Sequence, residues 1–262
     1  MRALNTAATG MMAMELNVQV ISNNLANMTT TGYKRQRAEF QDLLYDHVSR
    51  IGTQTSSQGN ILPVGIDLGS GVKAVGTPRL MTQGTLSQTG GTLDVAIRGD
   101  GFFKIQMPDG SYAYTRDGSF QMDAQGRIVT AQGNPVMPSI TIPSNSTGLT
   151  INAQGQVSVI PQGSTTPQIL GQITLTRFIN QAGLLPIGDN LYTETPASGA
   201  PEDGFPNTDG AGDLLQGSLE QSNVDSVTEI TNLIAAQRAY EMNSKVITAA
   251  DQMLQSTSNL MR

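Results

Sequence analysis

Glycine and proline divide this chain into a punctuated middle and two uninterrupted ends. All but one of its 28 glycines and all 12 of its prolines lie between Gly32 and Gly217. Because both residues interrupt helices, long helices are confined to the ends. The middle alternates short apolar runs with turn residues, which is typical of β-strands joined by hairpins. The sequence therefore predicts an α+β fold with terminal helices and a central β-rich domain.

The apolar spacing at both ends predicts helices that need partners. From Leu4 to Leu25 an apolar side chain recurs every three or four residues, the heptad pattern of a coiled coil. The C-terminal stretch carries two adjacent apolar stripes, an arc too wide for a single neighbouring helix. We therefore predict that the terminal helices pair as a coiled-coil-like domain and also contact other subunits. The predicted assembly seam comprises Leu4, Met11, Met14, Val18, Ile21, Leu25, Leu233, Tyr240, Met242, Val246, Ile247, Met253, Leu254 and Leu260.

A polar stripe accompanies the apolar arc of the C-terminal helix and is predicted to stay in water. Its members are mostly uncharged, and the charges that occur are of mixed sign. The stripe comprises Gln237, Glu241, Ser244, Thr248, Asp251, Gln255 and Ser258.

Local signals place the inner ends of both helices. The N-terminal helix is expected to stop near Asn27, because three threonines follow and Gly32 accepts a left-handed backbone. Ser226 and Glu229 have the spacing of a capping box at the start of the C-terminal helix. Ser222 and Asp225 offer an earlier start.

Four regions follow from these patterns. We predict an N-terminal helix in residues 1–32, an extended connecting segment in 33–76, the β-rich domain in 77–216 and the C-terminal helix in 217–262. Much of the connecting segment is polar and lightly punctuated, so it is expected to gain order by packing on another surface. Its expected apolar anchors are Ile61, Leu62, Val64, Ile66 and Leu68.

Turn residues predict two hairpins in the middle of the chain. Pro108-Asp109-Gly110 separates two strand-like runs, and Ala124-Gln125-Gly126 predicts a second tight turn. A related sequence, Asn152-Ala153-Gln154-Gly155, gives a faint internal repeat, which is too little for a solenoid.

Composition and charge exclude several classes of protein. The formal net charge of −6 argues against general nucleic-acid binding, and the basic cluster Lys34, Arg35 and Arg37 is interpreted as a solvated or interfacial face. No run approaches the length of a membrane span, and the first 25 residues lack the apolar core of a cleavable secretory signal. We expect export, if it occurs, to use another route.

The residues that carry catalysis are scarce. His47 is the single histidine and there is no cysteine, so neither a catalytic triad nor a histidine-containing metal cluster can be assembled. The Asp-Gly pairs at 100, 109 and 117 lack calcium-loop spacing and are interpreted as turns. We therefore predict no catalytic, cofactor-binding or metal-binding residues, and no enzyme activity.

Three sets of motifs resemble the flagellar axial proteins of the rod and hook. The first are the N-terminal motifs Asn23-Asn24-Leu25-Ala26-Asn27, Thr30-Thr31-Gly32-Tyr33-Lys34-Arg35 and Phe40-Gln41-Asp42-Leu43-Leu44-Tyr45. The second lie in residues 94–103 and 114–120. The third are the C-terminal motifs Gln237-Arg238-Ala239-Tyr240-Glu241-Met242-Asn243-Ser244-Lys245 and Asp251-Gln252-Met253-Leu254. The resemblance spans nearly the whole chain, and the length and order of its motifs favour the distal rod.

The resemblance implies a structural subunit that polymerises helically into a rigid hollow drive shaft. Expected partners are other copies of the chain, proximal rod proteins, the hook protein, the surrounding basal-body rings and the flagellar type III export apparatus. Its expected location is the basal body across the periplasm, reached without a cleavable signal. The polar stripe would then line the export channel, and residues 50–76 would stiffen the rod. Alternatives are a hook or proximal rod protein, or a secreted β-rich adhesin with an oligomerising helical stalk.

Overall fold

Two long helices and a β-rich middle make up the part of the chain that the structure describes. The computed structural model describes residues 2–49, 64–163, 166–208 and 210–260. The predicted α+β class is confirmed. The residues cluster into two units: unit 1 contains residues 1–25, 36–78 and 225–262, and unit 2 contains residues 26–35 and 79–224.

The described part of unit 1 contains both helices and four short strands. Strand β1 pairs antiparallel with β4, and β2 pairs antiparallel with β3. Val72 at the start of β4 donates its backbone N–H to Thr9 Oγ1 at 3.4 Å, which ties this strand to the first helix. The elements are α1 (Arg2–Ala26), β1 (Glu39–Asp42), β2 (Tyr45–Ser49), β3 (Ile66–Gly69), β4 (Val72–Gly76) and α2 (Ser226–Leu260).

The end of α1 agrees with the sequence prediction, whereas the cap of α2 corrects it. Helix α1 stops at Ala26, and Gly32 has the expected left-handed backbone with φ of 68°. At α2, the Asp225 carboxylate accepts hydrogen bonds from the backbone N–H groups of Val227 and Thr228, each at 3.3 Å. The predicted capping box of Ser226 and Glu229 is therefore wrong, and the earlier alternative Asp225 is the N-cap. Glu229 is buried and makes a different contact, described below.

Unit 2 is built from antiparallel sheets. The largest has seven strands, in the order β16-β17-β8-β7-β15-β18 with β11 also pairing β7. A three-stranded sheet β12-β13-β14 and the pairs β5-β20, β6-β19 and β9-β10 complete the unit. The bounds are β5 (Leu86–Gln88), β6 (Val95–Arg98), β7 (Phe102–Gln106), β8 (Tyr112–Thr115), β9 (Gln121–Met122), β10 (Ile128–Val129), β11 (Val136–Met137), β12 (Ser146–Ile151), β13 (Gln156–Pro161), β14 (Gln168–Gln172), β15 (Leu175–Arg177), β16 (Leu185–Gly188), β17 (Leu191–Thr193), β18 (Glu202–Gly204), β19 (Asp213–Gln216) and β20 (Ser218–Glu220).

Four hairpin turns in unit 2 share one geometry, in residues 107–111, 123–127, 130–134 and 152–156. In each, the first residue donates its N–H to the carbonyl of the fifth, and the fourth residue is a glycine that donates back to the first. The glycines have φ between 80° and 85°, as a type I turn followed by a glycine bulge requires. Both predicted hairpins are confirmed, and the faint repeat corresponds to two such turns. The turn at 130–134 was missed.

The core of unit 2 is apolar and aromatic. Side chains of β6, β7, β13 and β15 are fully buried, among them Ile97, Phe103 and Leu175. A smaller cluster stacks Tyr114 edge-on against Phe178, with ring centroids 4.8 Å apart. Burial raises the pKa of Tyr114 to about 12, so its phenol stays neutral in the folded protein.

A cluster of buried charges lies inside unit 2. Lys34 Nζ donates to Glu220 Oε1 at 2.6 Å and to the Thr82 carbonyl at 2.8 Å, and neither charged side chain is exposed. Arg116 lies 3.5 Å from Glu220 Oε2 and places its guanidinium 5.2 Å from the Phe102 ring centroid. Burial lowers the pKa of Lys34, and the Glu220 carboxylate opposes that shift. The interpretation of Lys34 as part of a solvated or interfacial face is therefore wrong, whereas Arg37 is exposed.

The same cluster holds the loop that follows α1. The Glu220 carbonyl accepts the backbone N–H of Gly32 at 2.8 Å. A Cβ at Gly32 would lie 2.9 Å from the backbone of Arg116, so this position admits only glycine without rearrangement. Asn223 adds a side-chain contact to the N–H of Arg35 at 2.8 Å. Residues 26–35 are thus fixed to the strand that precedes α2.

Replacing Glu220 with alanine should strongly destabilise unit 2. The variant leaves Lys34 and Arg116 buried without their carboxylate, which costs about 3–5 kcal/mol. Urea unfolding followed by tyrosine fluorescence measures this, because Tyr33, Tyr114 and Tyr192 are buried in unit 2. The control is E39A, which removes an exposed ion pair with Arg37 and should change stability by about 1 kcal/mol or less. Equal effects of the two variants would contradict the prediction.

Candidate assembly interface

The predicted stripe of α1 lies on its half-buried side. Ile21 is buried, and Leu4, Met11, Met14, Val18 and Leu25 are half-buried. Other buried positions of this helix are Ala7, Ala13, Val20 and Asn24. Ala7 belongs to the apolar spacing of the sequence, whereas Ala13, Val20 and Asn24 are buried at positions that this spacing did not single out.

The two apolar stripes of α2 differ in exposure. In the first stripe Leu233 and Ile247 are half-buried, and Tyr240 and Leu254 are exposed; between them lie the buried residues Ala236 and Ala250. In the second stripe Met242, Val246 and Met253 are 60%, 48% and 65% exposed. The side chain of Leu260 lies outside the described residues. The first stripe thus includes the buried alanines Ala236 and Ala250, whereas Met242, Val246 and Met253 of the second stripe are exposed.

Two side-chain contacts join the helices within unit 1. Asn24 Nδ2 of α1 donates to Glu229 Oε2 of α2 at 3.3 Å. Further along, Gly10 lies so close to Asn243 that an added Cβ would be 2.8 Å from the Asn243 amide nitrogen. Because Gly10 precedes Asn24 whereas Asn243 follows Glu229, the two helices run antiparallel.

The polar stripe of α2 faces outward at most of its positions. Gln237, Glu241, Thr248, Asp251 and Gln255 are exposed, and Ser244 is half-buried. The side chain of Ser258 lies outside the described residues. Gln237 and Glu241 also line a groove with Val18 and Tyr240, so the polar stripe borders the apolar seam. Gln255 donates to Asp251 Oδ2 at 3.1 Å along the stripe.

The connecting segment presents exposed apolar side chains. Val64 is 73% exposed, and Ile66 and Leu68 in β3 are also exposed. Ile61 and Leu62 lie outside the described residues. The partner strand β2 adds exposed Tyr45 and Val48, so the β2-β3 ribbon has apolar side chains in water. Exposed apolar surface of this kind marks interaction sites.

The described residues hold no constellation for catalysis. His47 pairs with Asp67 at 2.5 Å on the exposed β2-β3 ribbon, with no nucleophile placed by this pair. Across the described ranges, no group of histidine, aspartate and glutamate side chains is arranged to hold a metal ion. Neither helix, over its described residues, is long and apolar enough to span a membrane. The Asp109 and Asp117 carboxylates accept hydrogen bonds from Ser111 and Ser119, so these Asp-Gly pairs form turns as predicted.

Three family models match the chain, and together they define its class. Residues 4–34 match the flagella basal body rod protein. Residues 96–159 match the D1 domain of the flagellar hook protein FlgE/F/G, and residues 215–260 match the C-terminal region of the flagellar basal body rod FlgEFG protein. The matches fall on α1, the middle of unit 2 and α2. The chain therefore has the organisation of the axial proteins of the flagellar rod and hook.

Full-length relatives narrow this class. The flagellar basal-body rod protein FlgG of Caulobacter vibrioides is 57% identical over 260 residues, covering 99% of both chains. FlgG of Borreliella burgdorferi is 49% identical over 264 residues, covering 100% of this chain and 99% of the relative. FlgG of Bacillus subtilis is 38% identical over the full length of both. The chain belongs to the FlgG family of flagellar basal-body rod proteins and is a structural subunit of the distal rod, as its motifs indicated.

Proposed function

We propose that the chain polymerises helically, through α1 and α2 of neighbouring copies, into a rigid hollow drive shaft that transmits torque to the hook. The observation that carries this proposal is the open second stripe of α2. Its large apolar side chains are exposed on a helix whose buried apolar positions, Ala236 and Ala250, belong to the first stripe. Burying each such side chain against a neighbour contributes about 1.5–3 kcal/mol. A contact of this kind that repeats without closing generates a filament.

The helices would act as one inner assembly domain. Residues 1–32 and 217–262 supply the two helices of a coiled-coil-like pair. Residues 77–216 form the outer β-rich domain. The antiparallel contacts at Asn24 and Gly10 support such pairing. The shaft would contact proximal rod proteins at one end, the hook protein at the other and the basal-body rings around it. We place it across the periplasm, delivered by the type III export apparatus without a cleavable signal peptide.

The polar stripe of α2 would line the export channel. Unfolded chains in transit expose apolar side chains, and an apolar wall would retain them. Gln237, Glu241, Thr248 and Gln255 are polar and exposed, which suits a wall that passes such chains without binding them.

The connecting segment would stiffen the rod. A rod must stay straight whereas a hook bends. If both use similar terminal helices, the rod needs a further contact between subunits. Val64, Ile66 and Leu68 are exposed on a ribbon that has water on both faces, and a neighbouring copy would cover them. Ile61 and Leu62 would extend this contact.

Replacing Val246 with aspartate should abolish rod assembly and motility. The substitution puts an unpaired charge into the contact between subunits, but it lies at an exposed site and should leave the free subunit folded. Basal bodies are examined by electron microscopy, and circular dichroism checks the fold. The control is Q252D, which adds the same charge at an exposed position of the same helix outside both stripes. Normal rods from V246D would contradict a role of the second stripe.

Changing Glu241, Thr248 and Gln255 together to leucine should slow export while rods still form. The leucines would make the channel wall retain apolar segments of passing chains. Secreted hook and filament proteins are quantified over time, and rods are counted in micrographs. The conservative triple variant E241Q/T248S/Q255N should export at the parental rate. Unchanged export from the leucine variant would remove the stripe from the channel wall.

Deleting residues 53–67 should leave rods that polymerise but bend. The deletion removes four of the five proposed anchors together with part of β3, while both terminal helices remain. Curvature of isolated basal bodies is measured from micrographs. A matched variant with serine at Val64, Ile66 and Leu68 keeps the chain length and should also bend, though less. Straight rods from both variants would assign rigidity to the β-rich domain instead.

A further inference from the structure

The contact between Asn24 and Glu229 stands out because both side chains are polar and both are almost fully buried. Each residue is 1% exposed. They come from opposite ends of the chain, from α1 and α2, and meet at 3.3 Å. Buried polar groups between packed helices add little stability, but they penalise every arrangement that leaves them without partners.

Asn24 is oriented by the chain just beyond its own helix. Its Oδ1 accepts the backbone N–H of Gln36 at 2.8 Å, and its Nδ2 donates to the Gln36 carbonyl at 2.8 Å. These two hydrogen bonds fix which end of the amide carries the nitrogen. The remaining N–H of Asn24 is thereby directed at the Glu229 carboxylate. The donor for Glu229 is thus held in place independently of α2.

The contact between Gly10 and Asn243 complements this arrangement. Sliding α2 by one heptad in one direction would carry Glu229 beyond the end of α1. Sliding it the other way would bring Glu229 to Asn17, but it would also bring Ala3 to Asn243. A Cβ at the position now opposite Asn243 approaches its amide nitrogen to 2.8 Å, closer than packed atoms allow. Each direction of slip is therefore opposed by one of the two contacts.

We propose that Asn24 and Glu229 are positioning residues that set the register of α1 against α2. Register decides which α2 residues remain outward. A slip of one heptad would displace the second stripe and the polar stripe along the helix pair by about 10 Å. Resting on the proposed function, this means that the pair also determines whether neighbouring subunits find matching surfaces. The pair thus contributes specificity, whereas the apolar stripes contribute affinity.

Disulfide cross-linking of the purified full-length chain tests this directly, because the chain has no native cysteine. In the antiparallel register that the two contacts define, Ala13 is three residues from Gly10 and Tyr240 is three residues from Asn243, so we expect these two positions to lie opposite each other. The pair A13C/Y240C therefore reports the native register, and A13C/L233C and A13C/I247C report slips of one heptad in either direction. None of these substitutions touches the two contacts. Products that migrate as monomers distinguish cross-links within one chain from those between chains.

In the parental background, only A13C/Y240C should form a disulfide. In N24L/E229L both buried polar side chains become apolar. One of the two cysteine pairs that report a slip should then cross-link with a yield comparable to that of A13C/Y240C. E229M keeps both Asn24–Gln36 hydrogen bonds and should also allow a slipped cross-link. If N24L/E229L loses its helical circular dichroism, E229M is the variant that decides the test. E229Q still accepts from Asn24 and should match the parent.

Two results would overturn the proposal. One is slipped cross-links, or no native cross-link, in the parental background, since no register would then be set. The other is that A13C/Y240C remains the one pair that cross-links in N24L/E229L and in E229M. The register would then be set by contacts other than the one between Asn24 and Glu229. Because the readout is made on free subunits, it is independent of the rod. A failure of V246D to block assembly would therefore leave this inference standing.

Discussion

The Glu220 carboxylate is the group on which the organisation of unit 2 depends. Lys34 Nζ and the backbone N–H of Gly84 donate to the same oxygen, at 2.6 Å and 2.8 Å, and Arg116 approaches the other. A carboxylate without exposed surface must keep these donors, because losing them leaves an uncompensated charge in a medium of low polarity. The loop after α1, the segment around Gly84 and the end of β8 must therefore meet at one point. That point lies at the end of β20, shortly before α2 begins.

The two units use polar and apolar groups differently. In unit 2 the apolar side chains fill a closed core, and the buried charges of Lys34, Glu220 and Arg116 lie next to one another. In unit 1 the buried positions of the helices include polar Asn24 and Glu229 and small Ala236 and Ala250. The large side chains of the second stripe remain in water. Unit 2 is thus complete as a single body, whereas unit 1 has apolar surface that only another body can cover.

Local pattern predicted the elements, and non-local contacts decided the exceptions. The end of α1 and both predicted hairpins followed from spacing and from glycine, because those signals act over a few residues. The burial of Lys34 did not follow, because its partner Glu220 is remote in sequence and its neighbours Arg35 and Arg37 suggest an exposed basic face. The prediction for Glu229 was wrong for the same reason. Its spacing from Ser226 fits a capping box, but its carboxylate accepts a hydrogen bond from Asn24, which is remote in sequence. The amide motif at Asn23 and Asn24 supported the family resemblance without revealing that Asn24 joins the two helices.

Small residues between the helices have an energetic consequence for assembly. Apolar stabilisation grows with the area buried, by about 0.8 kcal/mol for each methylene group. An alanine such as the buried Ala236 or Ala250 therefore contributes little apolar area, and the close approach of Gly10 to Asn243 adds packing rather than area. Met242, Val246 and Met253 are 60%, 48% and 65% exposed. Under the assembly proposed above, pairing within one chain would be weak relative to association between chains, and the helices would gain their full stability only as members of a polymer.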